Sequence, residues 1–316
     1  MTRERSADRL TTNSFPPVRA CIFDMDGLLI DSEDLYSEAI NTILAEYSRP
    51  PMPWSIKAQL QGRPVPEAAK IFSEWAKLPI SVQEFREKQF ALQQELFQQT
   101  KPLPGVVELL NNLTRATTTV KATDGGGSGS CVLSGPESAI KGPKIELALA
   151  TSSHTETYII KTKHLSGLFD LIPNEHKVLG DDPRVAPGRG KPLPDIYLLA
   201  LATINKTLGP TSQIRPEECL VFEDSVPGVE AGRRAGMRVV WCPYPGLLEH
   251  YRGREKEVLA GITGEHKDLV ALNHGKVGAL DDGFADLVLS LEDFSYENYG
   301  ISIWSPITSD RARLPN

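Results

Sequence analysis

At 316 residues, with 40% hydrophobic and 24% charged residues, the chain can bury a substantial core, and global disorder is excluded. A formal net charge of -7 argues against a broad nucleic-acid footprint, which needs a basic face to meet backbone phosphates; an anionic ligand must be held by local cations. No apolar run approaches the ~20 residues of a membrane span.

Residues 1–17 carry Arg3, Arg5 and Arg9 among Ser and Thr, but Glu4, Asp8 and the lack of an amphipathic stripe argue against a targeting helix. They are read as a flexible N-terminus. Val18 to Phe23 is a short apolar run with the signature of a buried strand, ending abruptly in Asp-Met-Asp-Gly. From Ser32 the period becomes helical, with Leu35, Ala39, Ile43 and Leu44 on one face, and helical patterns recur over Ala68 to Trp75 and Val82 to Phe97. Pro-rich breaks separate them, so residues 34–102 are expected to form an all-helical cap over a core made of 18–33 and 103–316.

Val106 to Leu113 is helical, and the Thr-, Gly- and Ser-rich stretch 115–143 is expected to be a flexible surface insertion, since its composition cannot pack a core. Ile145 to Ala150, Cys219 to Phe222, Val239 to Trp241 and Ala285 to Leu289 read as further strands, and about 248–282 as a second, polar insertion. Strands alternating with helices predict an α/β fold, a three-layer doubly wound parallel sheet. The cysteines Cys21, Cys131, Cys219 and Cys242 stand singly without zinc spacing, which suits reduced thiols in a cytoplasmic protein; a monomer is expected.

Polar clusters follow the strands: Asp24 and Asp26 after the first, Thr151 after the second, Lys191 ahead of a later helix, and Glu223-Asp224 after the fourth. Parallel sheets bind ligands at the carboxyl ends of their strands, so these groups can converge. A carboxylate at Asp24 can attack phosphorus, and Asp26 can move a proton to the leaving oxygen and later from water. Mg²⁺ suits an all-oxygen site of Asp24, Asp224 and Glu223 with a backbone carbonyl, while Lys191 neutralises phosphate and Thr151 offers its hydroxyl and backbone N–H. An aspartate pair after a strand taken alone is a turn signal; the four clusters in order make the catalytic reading the stronger.

Asp-Met-Asp-Gly-Leu-Leu-Ile-Asp-Ser from Asp24, Leu-Ala-Thr-Ser-Ser from Leu149, Gly-Lys-Pro-Leu-Pro-Asp-Ile-Tyr from Gly190 and Val-Phe-Glu-Asp-Ser-Val-Pro-Gly-Val-Glu-Ala from Val221 resemble the four motifs of the haloacid dehalogenase superfamily. With Val178 to Pro183 and Cys219 to Asp224, the chain is most similar to its pseudouridine-5′-phosphatase-like members. The resemblance implies a magnesium-dependent phosphatase of a small phosphorylated metabolite. Asp24 would be nucleophile, Asp26 acid/base, Thr151 and Lys191 phosphate ligands, and Asp24, Asp26, Glu223 and Asp224 the metal residues. Arg63 falls where relatives place a substrate-contacting loop, and Ser152 joins the substrate-binding set. Ser152 and Ser153 also read as caps of the following helix, Asp31 and Ser32 as hinge residues, and Asp181-Asp182-Pro183 as a structural turn. The rival readings are a phosphosugar mutase using the same Asp24 and Asp26, and a catalytically silent binding protein of the same fold.

Overall fold

The computed structural model describes residues 15–61, 65–119, 141–264 and 277–303. Six parallel strands form the central sheet in the order β5-β4-β1-β6-β7-β8, with β1 Ala20–Phe23, β4 Glu146–Ala150, β5 Lys177–Val178, β6 Cys219–Glu223, β7 Arg238–Trp241 and β8 Ala285–Leu287. In register, Phe23 lies between Leu149 and Phe222. All strand ends that carry the predicted polar clusters therefore point to one edge of the sheet.

Alternation along each strand divides the core in two, as a period of two requires. Cys21, Phe23, Leu147, Leu149, Leu220 and Phe222 face one layer, where they pack with Val106, Leu109, Leu110 and Leu113 of α5 Val106–Leu113. Ala20, Ile22, Ala148, Ala150, Val221 and Val239 face the other, against α8 Asp195–Thr207 and α9 Val226–Arg234. A strand covered on both faces is apolar throughout, which is why β1 is buried at every position. Two further helices, α6 Thr155–Thr162 and α7 Ser166–Phe169, follow β4.

The segment between β1 and α5 is helical: α1 Ser32–Glu46, α2 Trp54–Leu60, α3 Val65–Ala76 and α4 Val82–Leu96. Ser81 caps α4 by accepting from the Glu84 N–H at 3.1 Å. Ile40, Leu44, Phe72 and Ala76 make a small apolar cluster of their own, with Phe85 against Phe72 at 4.6 Å between ring centroids. Trp54, at the start of α2, stacks on Tyr244 at 5.1 Å. Its ring covers Gly246, where an added Cβ would come within 2.1 Å of the indole.

Three expectations change. The stem of the 115–143 insertion is ordered: β2 Ala116–Thr119 and β3 Lys141–Lys144 pair antiparallel, and β9 Ile301–Ile303 completes a three-stranded sheet in the order β3-β2-β9. Thr118 anchors it by donating its hydroxyl to the Val18 carbonyl at 2.9 Å. The second polar insertion begins with two packed helices, α10 Pro245–His250 and α11 Glu255–Ala260; their Leu247 and Val258, and Tyr251 at the end of α10, are buried in the core. Finally, the docked chain starts before Val18, since Phe15 meets Phe284 edge-on and Arg238 donates to the Pro16 carbonyl. Among the described residues no helix is long and apolar enough to cross a membrane.

Candidate active site

Asp24 follows β1 directly, and its N–H bonds to the Phe222 carbonyl at 3.0 Å, which extends the sheet pairing to the reactive position. Lys191, 2% exposed, donates to Asp24 Oδ1 at 2.5 Å and lies 2.6 Å from Glu223 Oε1. Burial of an ammonium is costly unless it is paired, and here two carboxylates compensate it and hold its pKa above the usual lysine value despite desolvation.

Glu223 has every acceptor position engaged. Tyr197 donates its hydroxyl to Oε1 at 2.5 Å, and Oε2 accepts from the N–H groups of Asp224 and Ser225 and from the Ser225 hydroxyl at 3.0 Å. Gly228 makes room for it, since a Cβ there would fall 1.9 Å from the carboxylate. The helix that follows is capped by Ser225, which accepts from the Gly228 N–H at 3.2 Å, and not by Glu223 or Asp224.

Oxygens of Asp24, Glu223 and Asp224 all lie within 4.8 Å of one another, with Lys191 as the ammonium paired to two of the three. Burial raises the Asp24 carboxyl to about 7, with Glu223 and Asp26 pushing the same way against Lys191. Burial raises Asp224 well above its ordinary value too, with Glu223 and Asp24 adding to it. Asp24 and Asp224, with Glu223 beside them, form a buried all-oxygen donor set, the chemistry that suits a hard divalent cation. The turn at Gly27, with φ +81°, is required here: a Cβ would meet Asp224 Oδ2 at 2.4 Å.

Asp26 faces a different group of partners. Its Oδ1 accepts from Ser32 Oγ and Lys161 Nζ, both at 2.5 Å, and its Oδ2 from Ser153 Oγ at 2.6 Å and, more distantly, Thr151 Oγ1 at 3.5 Å. Burial works to raise this carboxyl, but the Lys161 ammonium and the two serine hydroxyls outweigh it and hold it below the usual carboxylate range. Its side chain is outside the acidic cluster formed by Asp24, Glu223 and Asp224, and its oxygens are taken by Ser32, Lys161 and Ser153, so the carboxylate expected among the metal residues is not presented to that cluster.

The remaining expected residues divide. Thr151 is fully buried, but its N–H is spent on the Val178 carbonyl at 3.1 Å, so only the hydroxyl faces the site. Ser152 is exposed, while Ser153 turns inward to Asp26. Neither serine caps α6; Asp181 does, accepting from the N–H and hydroxyl of Thr155 at 2.9 Å, which gives the Asp181-Asp182-Pro183 turn its structural purpose. Ser32 contacts Asp26 as well as opening α1. Arg63 lies outside the described residues.

Two models of haloacid dehalogenase-like hydrolases match the chain, over residues 21–121 and 138–236. The "Probable pseudouridine-5'-phosphatase" of Saccharomyces cerevisiae is 38% identical over 284 residues, covering 90% of this chain and 98% of its own length. The chain belongs to the haloacid dehalogenase-like hydrolase family. A second relative of similar kind, "(DL)-glycerol-3-phosphatase 2" of Arabidopsis thaliana, is 36% identical over 77% of this chain and 86% of its own. A haloacid dehalogenase-like protein of unknown function from Agrobacterium tumefaciens shares the fold, with a TM-score of 0.55 at 19% identity, covering 87% of this chain and 95% of that one.

Within this haloacid dehalogenase-like site, sequence reasoning missed Lys161, Tyr197, Ser153 as an Asp26 partner, and Gln61, which donates to Asp224 Oδ2 at 2.7 Å. A signal existed for Tyr197, which sits on the inward face of α8 in its first turn and is apolar-flanked. For Lys161 none did, because one lysine in a mixed helix reads as a solvated surface cation.

Proposed function

We propose that the chain is a magnesium-dependent phosphatase of small phosphate monoesters that works through a phosphorylated Asp24. The observation that carries this is the separation of the two aspartates: Asp24 is held by Lys191 within the acidic cluster, and Asp26, two residues on, is held by Lys161 and Ser153 outside it. One carboxylate is presented for attack and the other for proton transfer, the division that two-step hydrolysis needs.

In the first step an Asp24 oxygen forms a bond to phosphorus as the bond to the leaving oxygen breaks, and Asp26 supplies the proton which that oxygen takes up. In the second, Asp26 removes a proton from water, the water oxygen bonds to phosphorus, and the Asp24–phosphorus bond breaks. Lys191 faces the phosphate charge, Glu223 and Tyr197 keep Lys191 in place, and the Thr151 hydroxyl is placed to donate. Asp24 and Asp224 would hold Mg²⁺, with Glu223 close by; bound there, the ion offsets the repulsion between carboxylates and a dianionic phosphate.

The named activities of the Saccharomyces and Arabidopsis relatives concern phosphate esters of alcohols, and a small alkyl phosphate is the substrate class we assign. The test supplies pseudouridine 5′-phosphate, glycerol 3-phosphate and sugar phosphates with Mg²⁺ in ¹⁸O-labelled water. Release of labelled inorganic phosphate from one of them is the expected result. Isomerised sugar phosphate with little phosphate released would establish a mutase, and no turnover of any ester would establish a silent binding protein.

A further inference from the structure

Lys161 has no exposed surface at all, and a lysine so placed needs an explanation that folding alone does not supply. Taking an ammonium out of water costs several kcal/mol, and a buried ion pair replaced by apolar groups of similar volume is often neutral or stabilising. Lys161 is nevertheless built in. Its Nζ donates to Asp26 Oδ1 at 2.5 Å, to the Tyr36 hydroxyl at 2.8 Å and to Ser153 Oγ at 2.9 Å. The rings of Tyr36 and Phe97 wall it in, with centroids 4.5 Å and 4.7 Å from the nitrogen.

These walls come from the two chain crossings between the core and the helical segment: Tyr36 is in the first turns of α1 and Phe97 follows α4. Thr100, beside the return crossing, fixes the lysine's backbone by donating its hydroxyl to the Lys161 carbonyl at 2.6 Å. The site therefore contains two buried lysines with separate tasks. Lys191 pairs with Asp24 and Glu223, and Lys161 pairs with Asp26.

We propose that Lys161 is the positioning residue for proton transfer: with Ser153, it fixes the Asp26 carboxyl in one orientation toward the leaving oxygen. This rests on the phosphatase reading and deepens it. The step balances with solvent as the only proton source. Asp26 takes a proton from solvent before the ester reacts; that proton moves to the departing alkoxide as the Asp24–phosphorus bond forms and the phosphorus–alkoxide bond breaks, and Asp26 returns to the ionised form that Lys161 and the serines hold in place.

The consequence depends on the leaving group. An alkoxide cannot depart without a proton, whereas p-nitrophenolate can, so a defect confined to proton delivery must penalise alkyl esters selectively. The experiment compares wild type and Lys161→Met, in kcat/KM, on p-nitrophenyl phosphate and on the alkyl phosphate that wild type hydrolyses best. The expected result is a loss on the alkyl ester of about 10²-fold or more, the lower range of general acid contributions, with a much smaller loss on the aryl ester. Equal losses on the two, or none, would overturn the proposal, because a purely structural lysine lowers both alike.

Ser153→Ala removes the 2.6 Å bond to Asp26 Oδ2 and leaves the ammonium in place; it must show the same asymmetry on a smaller scale, and it decides the matter if Lys161→Met does not fold. Wild-type inactivity on every ester would sink the phosphatase reading and this inference with it. Wild-type activity with symmetric losses in both variants would sink this inference alone.

Discussion

Gln61, at the end of α2, donates from Nε2 to Asp224 Oδ2 at 2.7 Å, so a helix of the segment between β1 and α5 touches the acidic cluster directly. Its other polar atom, Oε1, is buried without a hydrogen-bond partner. This amide donates to Asp224, a carboxylate whose burial opposes its charge. Gln61→Ala should therefore destabilise the metal-free protein by about 1 kcal/mol, the usual net worth of such a bond. Added Mg²⁺ should recover more melting temperature in the variant than in wild type. Thermal melts across a Mg²⁺ titration read this directly, and identical Mg²⁺-induced shifts in the two proteins would contradict it.

Asp24→Asn should abolish turnover and leave the fold intact, because an amide cannot act as the attacking carboxylate while Lys191 retains Glu223 as a partner. Rapid quench with ³²P-labelled substrate should trap acid-stable label on wild type and none on the variant. Substantial steady-state activity in pure Asp24→Asn protein would remove the covalent mechanism.

The low-complexity insertion should be dispensable only between its paired strands. Replacing residues 120–140 with a short turn shortens the connection between β2 and β3 and, by loop-closure entropy, should stabilise by about 2 kcal/mol at most. Extending the excision to 116–142 removes β2, its pairing with β9 and the Thr118 bond to Val18, and should lower the melting temperature clearly. Melting temperatures of the two deletions compare the cases; indistinguishable values would show that the small sheet contributes nothing.

Arg233, on α9, is nearly buried and pairs with Asp282, donating from Nη1 to Oδ1 at 3.0 Å. Burial works to raise the Asp282 carboxyl, but Arg233 and the N–H groups of Phe284 and Ala279 outweigh it and lower the value. A lowered folded pKa means stability that is present above the ordinary carboxylate value near pH 4 and lost as pH falls through the folded one. Asp282→Asn should cost about 2 kcal/mol at pH 7, and urea denaturation should show the gap to wild type narrowing below about pH 4. A gap that stays constant down to pH 3 would refute the assignment.

The positions of Asp24, Asp26, Thr151, Glu223 and Asp224 were legible in the sequence because each follows an apolar run, and that of Lys191 because it precedes a helical pattern. An apolar run buried on both faces makes a strand, and polar residues at its end must emerge at the sheet edge. The same logic located β1, β4, β6 and β7 to within two residues of their observed bounds. It failed for the small sheet, since Ala116–Thr118 pairs with Ile301–Ile303 from the far end of the chain and neither segment carries a pattern that names the other.

Tertiary structure alone decided how the charged groups are shared out. Whether Glu223 serves a metal or Lys191 depends on Tyr197 and Ser225 filling its acceptor positions, and whether Ser152 or Ser153 turns inward depends on where Asp26 lies. Lys161 shows the reason most clearly. On α6 it is one cation among polar neighbours, and it becomes a buried partner of Asp26 only because Tyr36 and Phe97, brought in by helices distant in sequence, exclude water from it. Burial period and chain-end polarity are properties of neighbouring residues and are therefore written in the sequence, whereas desolvation and charge pairing belong to whatever the fold places opposite.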